Sequence, residues 1–223
     1  MRVAVVGNGD IEPGYADYID GFDFVVRFNA CGTYGLSGKK IDALCLVNTT
    51  DQNHFALEPS GIDRDADAAT KVFWLARAPG VIKAEQARCV DSYLASTWRD
   101  HTDALIEKRI RGRAREFIPE RTYRVVESEL RKRGSTEFQQ PSTGILGLTH
   151  ALLTLKPKEL VLFGFTHKGW KWHPWEAERQ LIDFWGIQRA SRKLVKRFQG
   201  AKHSLKRHPR GQSGERRAGT SAL

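Results

Sequence analysis

Short apolar runs closed by turn residues are the feature of this sequence that most constrains its fold. The first run, Arg2–Val6, is rich in β-branched residues and breaks at Gly7-Asn8-Gly9-Asp10. Short, almost continuous apolar runs of this kind are typical of parallel strands that are covered on both faces. The runs that we predict as strands are 2–6, 23–28, 41–47, 71–76 and 160–163.

Helical segments are predicted between and after these strands. Residues 91–116, Ser142–Leu155 and about Pro174 to Arg197 are predicted helices, whereas Thr122–Leu130 is compatible with either a helix or a strand. Strands that alternate with helices predict an α/β fold with a mostly parallel sheet flanked by helices.

Charge is distributed unevenly along the 223 residues. The 36 Lys and Arg and 26 Asp and Glu give a net charge of +10; residues 191–223 hold ten of these bases and one acid, or +9, which leaves +1 for residues 1–190. Residues 1–190 are therefore nearly neutral, and we do not expect them to bind nucleic acid. We predict one domain over 1–199 and a disordered basic tail over 200–223. The tail is either simply solvated or a contact for anionic lipid or nucleic acid.

Three features bear on the compartment. No apolar run approaches the roughly 20 residues of a transmembrane helix, so we expect no transmembrane segment. The chain enters a predicted strand directly after Met1, so we expect no cleavable signal peptide. Cys31, Cys45 and Cys89 have no metal-ligand spacing and cannot all pair, which predicts a reduced, cytoplasmic protein.

The turn Gly7-Asn8-Gly9 follows the first predicted strand, which is the place where doubly wound sheets bind nucleotides. It is not the dinucleotide fingerprint, because the next glycine is Gly14 and the GxGxxG spacing is absent. A turn without a ligand remains the alternative.

The segment Pro141-Ser142-Thr143-Gly144 begins a helix that is apolar almost all round and therefore buried. Ser142 or Thr143 can cap this helix. The free N–H groups and the positive dipole at such a helix end suit a phosphate or carboxylate, although a cap without a ligand is equally compatible.

The last predicted helix begins at Pro174, with His173 at its N-cap. The positive helix end would lower the pKa of His173 and favour the neutral imidazole of a general base, with a purely structural histidine as the alternative. Glu178 falls within the apolar stripe of this helix, so its carboxylate must be paired or hydrogen-bonded.

One acidic segment contains a pattern that binds metal in many nucleotide-sugar enzymes. Asp63-Arg64-Asp65-Ala66-Asp67 includes a DxD sequence, but it precedes a predicted strand instead of following one. We therefore predict an acid-rich loop and no metal site.

Taken together, three of these segments resemble the sialylmotifs of glycosyltransferase family 29, the eukaryotic-type sialyltransferases. Residues 3–9 with 19–29 look like the large motif, and Pro141–Gly144 with 162–165 looks like the small motif. His173 and Glu178, spaced HxxxxE, match the very small motif. The resemblance covers residues 3–48 and 141–185.

The resemblance implies a Rossmann-like variant of the GT-A fold and an inverting, metal-independent transfer of a sialic-acid-like sugar from a CMP-sugar donor to a glycan or other hydroxyl acceptor. No cofactor is implied. His173 would be the catalytic base, and Glu178 would support the very small motif structurally. His167 would belong to a further, loosely matched motif that lies between the small and the very small motif. The residues implied to bind the donor are Gly7, Asn8, Gly9, Asn29, Ser142, Thr143 and Gly144.

One departure from the family pattern and one observation on similar proteins bear on function. The cysteine positions that join the large and small motifs in the family are not filled here, which fits a cytoplasmic version. Small bacterial proteins with these motifs sometimes carry accessory-protein names, including ones linked to urease operons. The alternative prediction is therefore a non-catalytic, nucleotide-binding accessory protein that retains the sialyltransferase-like fold.

Overall fold

The computed structural model of the chain describes residues 1–12, 14–49, 57–58, 61–89 and 98–190. Their strands form one seven-stranded sheet with the order β5-β4-β3-β2-β1-β6-β7, and every pairing between neighbouring strands is parallel. The strands are β1 Arg2–Val6, β2 Phe24–Phe28, β3 Ala43–Leu46, β4 Val72–Leu75, β5 Arg115–Phe117, β6 Glu159–Phe163 and β7 Gln188–Arg189.

Helices flank this sheet, which confirms the predicted α/β class and mostly parallel sheet. The helices are α1 Ala16–Asp20, α2 Arg64–Ala69, α3 Pro79–Arg88, α4 Thr102–Leu105, α5 Glu120–Arg131, α6 Thr143–Leu155 and α7 Trp175–Phe184. A π-helical turn, Ile106–Ile110, continues α4.

Alternate residues of the central strands pack into two different cores. On β3, Ala43 and Cys45 join a cluster with α5, α6 and α7, whereas Leu44 and Leu46 join a second cluster with residues of α2 and α4. Both faces of the sheet are therefore covered. This is why the strands are nearly continuous apolar runs in the sequence and not alternating ones.

The connection from β5 through α5 and α6 to β6 returns the chain to the other side of β1. Strands β2 to β5 lie on one side of β1, and β6 lies on the other. This reversal of strand order is a topological switch point, which opens a crevice at the carboxyl ends of β1 and β6.

Two predictions about individual elements need correction, and one open alternative is resolved. Of the helix predicted over 91–116, residues 91–97 lie outside the described part. The rest is helical over Thr102–Leu105 and the π-helical turn Ile106–Ile110, whereas 98–101 and 111–114 are not helical and 115–117 form β5. The last helix ends at Phe184, because Gly186 adopts a left-handed conformation (φ +63°) and the chain continues into β7. The ambiguous segment around Thr122–Leu130 is the helix α5.

Residues 191–223 also lie outside the described part of the chain. The predicted basic tail over 200–223 and its contacts with lipid or nucleic acid therefore stay predictions. Among the described residues, no helix is both long and apolar enough to cross a membrane.

Candidate functional site

A cavity of about 300 Å³ opens at the switch point, where the carboxyl ends of β1, β2 and β6 meet the beginning of α6. Segments far apart in sequence supply its walls. It brings together every site residue that the sequence singled out, whose chemical roles remain predictions: Gly7, Asn8, Gly9, Asn29, Ser142, Thr143, Gly144, His167, His173 and Glu178.

The turn after β1 lies directly against the turn after β6. The N–H of Gly7 donates to the Phe163 carbonyl at 2.8 Å, and the N–H of Gly9 donates to the Gly164 carbonyl at 3.0 Å. A Cβ on Gly7 would stand 2.6 Å from the Gly164 oxygen, and one on Gly9 would stand 2.7 Å from it. The two backbones can approach this closely because glycine occupies these positions.

Two asparagines present complementary amide atoms at the pocket. The Asn8 Nδ2 donates to the Phe28 carbonyl at 3.0 Å, which leaves its Oδ1 as an acceptor. The Asn29 Oδ1 accepts from the Val47 N–H at 3.0 Å, which leaves its Nδ2 as a donor. Asn29 has a left-handed backbone (φ +49°), which asparagine tolerates better than most residues, so the side chain is held in a fixed place.

Ser142 is the N-cap of α6. The sequence leaves Ser142 and Thr143 as the two candidates for this cap. The Ser142 Oγ accepts from the Ile145 N–H at 3.2 Å. The first N–H groups of the helix, on Thr143 and Gly144, lie at the wall of the pocket, where they and the helix dipole favour an anion.

Glu178 is 2% exposed and fixes the start of α6 from the neighbouring helix α7. Its Oε1 accepts from the Ser142 N–H, and its Oε2 accepts from the Ser142 hydroxyl, each at 2.8 Å. Burial raises the pKa of Glu178 to about 7, against the opposing effects of the two Ser142 bonds and the charge of Arg77. The buried carboxylate therefore has the hydrogen bonds that its position in the apolar stripe requires.

His173 has a defined tautomer. Its Nδ1 lies 2.8 Å from the Gln140 carbonyl oxygen, which can only accept, so Nδ1 carries the proton and Nε2 is the acceptor nitrogen. The rings of Trp170 and Trp175 contact the imidazole edge-to-face, at centroid distances of 4.9 and 5.0 Å. These contacts fix the orientation of the ring at the pocket wall.

The predicted cause of the neutral imidazole is wrong, although its direction is right. Pro174 and not His173 is the N-cap of α7, which begins at Trp175. Burial lowers the pKa of His173 to about 4, with a smaller lowering by the charge of Arg77 and a partial offset by the Gln140 bond. His173 is therefore neutral at pH 7.

The loop after β6 adds two polar side chains to the pocket. His167 has a left-handed backbone (φ +50°), and its buried Nε2 has no hydrogen-bond partner among the described residues. Burial lowers the pKa of His167. Lys168 also lines the pocket and is exposed, and sequence reasoning missed it. Its position directly after His167, beyond the carboxyl end of a predicted strand, is the signal that could have found it.

The acidic segment does not form the predicted loop. Asp63 caps α2 by accepting from the N–H groups of Asp65 and Ala66 at 3.0 and 2.9 Å. Asp67 pairs with Arg109 and Arg113, at 2.9 and 2.6 Å. Within the described ranges, no group of three or more His, Cys, Asp or Glu residues is arranged to hold a metal ion.

Comparison with known proteins found one curated relative and several solved structures. The chain is 30% identical over 202 residues to the urease operon 23 kDa accessory protein of Rhizobium meliloti (strain 1021), which covers 86% of this chain and 92% of the relative. No family model matches the chain.

The solved structures include a mammalian and a bacterial sialyltransferase. A mammalian sialyltransferase superposes with a TM-score of 0.48 and 20% identity, over 85% of this chain and 68% of its own. The sialyltransferase CstII from Campylobacter jejuni, in complex with cytidine-5′-monophosphate, superposes with a TM-score of 0.43 and 12% identity, over 85% and 79% of the two chains.

Proposed function

The chain belongs to the family of the urease operon 23 kDa accessory protein, and we propose that it is an inverting glycosyltransferase, which moves a sialic-acid-like sugar from a CMP-sugar donor to a hydroxyl acceptor. The observation that carries this proposal is the meeting of all the predicted site segments at one pocket. That pocket lies at the switch point of a parallel sheet, where nucleotides bind in folds of this class.

The charges around the pocket suit an anionic donor. The N-terminal end of α6 presents N–H groups, and Lys168 adds a positive charge at the rim. The carboxylate among the lining residues, Glu178, is engaged by Ser142. The phosphate of a CMP-sugar would therefore lie against α6, while the amides of Asn8 and Asn29 offer an acceptor and a donor to the nucleotide.

His173 is the proposed base. Its Nε2 would take the proton of the acceptor hydroxyl while the hydroxyl oxygen bonds to the anomeric carbon of the donor. The bond from that carbon to the phosphate oxygen breaks, and its electron pair leaves with CMP. Attack and departure on opposite faces invert the configuration. A weak base suffices, because the hydroxyl becomes acidic as the new bond forms.

The departing phosphate is where negative charge develops. The first N–H groups of α6 are held in place before reaction by the Ser142 cap and by Glu178, so they can stabilise this charge without rearranging. Among the described residues that line the pocket, Glu178 supplies the carboxylate, and Ser142 engages both of its oxygens, a donor set that supports transfer without a metal.

We also place this activity in the cytoplasm. Cys31 and Cys45 are buried and form no disulfide bond among the residues that the structure describes. A reducing compartment maintains this state.

The test is turnover of a CMP-linked sialic acid, in the presence of EDTA, with a panel of hydroxyl acceptors. The proposal expects release of CMP together with a glycosylated acceptor, and loss of both in His173→Ala. Retention of full activity by His173→Ala would contradict the assigned base.

A second candidate follows from the printed name of the curated relative, which is an accessory protein of a urease operon. In that case the pocket binds a nucleotide but performs no transfer. The two functions separate experimentally, because the accessory protein would bind CMP with similar affinity in the wild type and His173→Ala and would turn over no CMP-sugar with any acceptor.

A further inference from the structure

Arg77, directly beyond β4 and Ala76, is a buried cation with incomplete hydrogen bonding. It is 1% exposed. Its Nη2 donates to the Pro141 carbonyl at 3.0 Å, whereas Nε and Nη1 have no partner among the described residues. The guanidinium lies over the Trp98 ring, 5.3 Å from its centroid.

The other fully buried arginine of this sheet shows what a structural cation looks like here. Arg27 is also 1% exposed, but its three nitrogens all donate, to the Lys40, Ser37 and Gly38 carbonyls and the Ser37 hydroxyl. Burial of a charge is costly unless its hydrogen bonds are satisfied. Arg77 is therefore retained for something other than the local packing that accounts for Arg27.

The backbone of Arg77 is clamped by the neighbouring strand. The Asn48 side chain, beyond the end of β3, accepts from the Arg77 N–H at 3.0 Å and donates to the Arg77 carbonyl at 2.8 Å. The Arg77 side chain therefore extends from a fixed backbone position to the carbonyl of Pro141, the residue before the N-cap of α6.

The charge of Arg77 acts on two side chains of the pocket. It lowers the pKa of Glu178, which opposes the effect of burial, and it lowers the pKa of His173, which adds to that effect. The same guanidinium therefore favours an ionised Glu178 and a neutral His173. The remaining titratable groups that face Arg77 are Tyr123 on α5, Cys45 on β3 and Glu85 on α3.

We propose that Arg77 is a positioning residue of the pocket, which holds Pro141 at the entry to α6 and supplies the fixed positive charge beneath Glu178 and His173. The catalytic consequence rests on the proposed function. The charge effect does not, because it is measurable in the protein without turnover.

The experiment compares Arg77→Gln with Arg77→Lys. Gln keeps a donor that can reach toward Pro141 and removes the charge, whereas Lys keeps the charge and loses the planar fork. The readout is the pKa of His173, which is measured by NMR titration of its ring in the full chain. Loss of a purely structural contact would not shift this pKa selectively. Arg121→Gln, at an exposed position of α5, is the control.

We expect Arg77→Gln to raise the pKa of His173 by on the order of one unit, the effect of removing a nearby like charge, while Arg77→Lys and Arg121→Gln leave it close to 4. An unchanged titration in folded Arg77→Gln overturns the proposal. Should that variant not fold, Arg77→Met takes its place: a His173 pKa above the wild-type value supports the proposal, and an unchanged pKa overturns it.

Failure of both variants to fold would assign Arg77 to the stability of the fold and also overturn the proposal. The proposed transfer reaction can fail independently. If the His173 titration shifts as expected but the wild type turns over no CMP-sugar, Arg77 still sets the charges of the pocket and the glycosyltransferase assignment is wrong.

Discussion

Glu178 accepts two hydrogen bonds from Ser142, one from the backbone N–H and one from the hydroxyl, and each is 2.8 Å long. A second link runs parallel to this one, because the His173 Nδ1–H donates to the carbonyl of Gln140. The segment that leads into α6 is therefore fixed at two points to the segment that begins α7. The proposed base and the helix end that we propose as the phosphate site are therefore held in one arrangement before any substrate arrives.

The pKa of Glu178 makes a prediction about stability. Its value of about 7 in the folded chain exceeds the ordinary 4.5, so the native state holds more protons than the unfolded state between these two pH values. The contribution of Glu178 to the free energy of unfolding therefore falls as pH rises through this window, by on the order of 3 kcal/mol. Glu178→Gln removes this term, because Gln mimics the protonated acid.

Denaturant unfolding of both proteins at several pH values checks this. We expect Glu178→Gln to lie within about 1 kcal/mol of the wild type at pH 4.5 and to gain on it steadily up to pH 8. Glu178→Ala is the matched control, since it leaves the Ser142 N–H unpaired and should cost about 1–3 kcal/mol at pH 4.5. A constant difference between Glu178→Gln and the wild type would contradict the raised pKa.

Gly7→Ala tests the contact between the two turns. The new Cβ would stand 2.6 Å from the Gly164 carbonyl oxygen, so the turns after β1 and β6 must separate. We expect at least a tenfold loss of CMP affinity in calorimetry, with a folded protein by circular dichroism. Gly32→Ala is the control, because its Cβ would meet no atom within 4 Å. The CMP affinity of this variant should match that of the wild type. Equal affinities in all three proteins would place the nucleotide elsewhere.

Much of this site was predictable from the sequence because its parts lie at the ends of recognisable elements. The β-branched run that becomes β1 and the polar cap of α6 are local patterns, and they locate Asn8 and Ser142 correctly. The sequence also indicated that Glu178 needs a partner. It could not name Ser142 as that partner, because the pairing depends on how two helices pack across 36 residues of sequence.

Physical reasons explain why sequence reasoning missed two edge strands and Arg77. The edge strands β5 and β7 are three and two residues long, and their exposed polar residues carry no apolar signal. Arg77 was missed because its link to the pocket depends on the order of the strands, in which β4 lies two strands from β2. No local sequence pattern predicts that order. The distance of Arg77 from Pro141 in the sequence hides the contact for the same reason.

His173→Ala tests the catalytic base. We expect a loss of roughly 10²–10⁴-fold in turnover, the range that general-base catalysis supplies, with CMP affinity nearly unchanged. Because the pKa of His173 is about 4, the wild-type rate should stay level from pH 7 to about 5 and fall as pH approaches 4. Arg179→Ala, on the exposed side of α7, should behave as the wild type. A rate that declines already between pH 7 and 6 would contradict the assignment.

Lys168→Met tests the charge at the rim. Lys168 lines the pocket, and removal of its charge should weaken CMP binding by roughly three- to tenfold, and less so at high salt. Lys171→Met is the matched control, because Lys171 instead lies over the Trp172 ring, 5.2 Å from its centroid, and is not part of the pocket wall. Similar effects of the two substitutions would indicate a general effect of net charge.

The most direct measurement of the central claim is titration calorimetry of the full chain with CMP in EDTA, with cytidine as the comparison. The account predicts one CMP site per chain, no change on adding Mg²⁺, and much weaker binding of cytidine, which lacks the phosphate that would meet the start of α6. Binding of CMP that disappears in EDTA, or equal binding of cytidine and CMP, would contradict it.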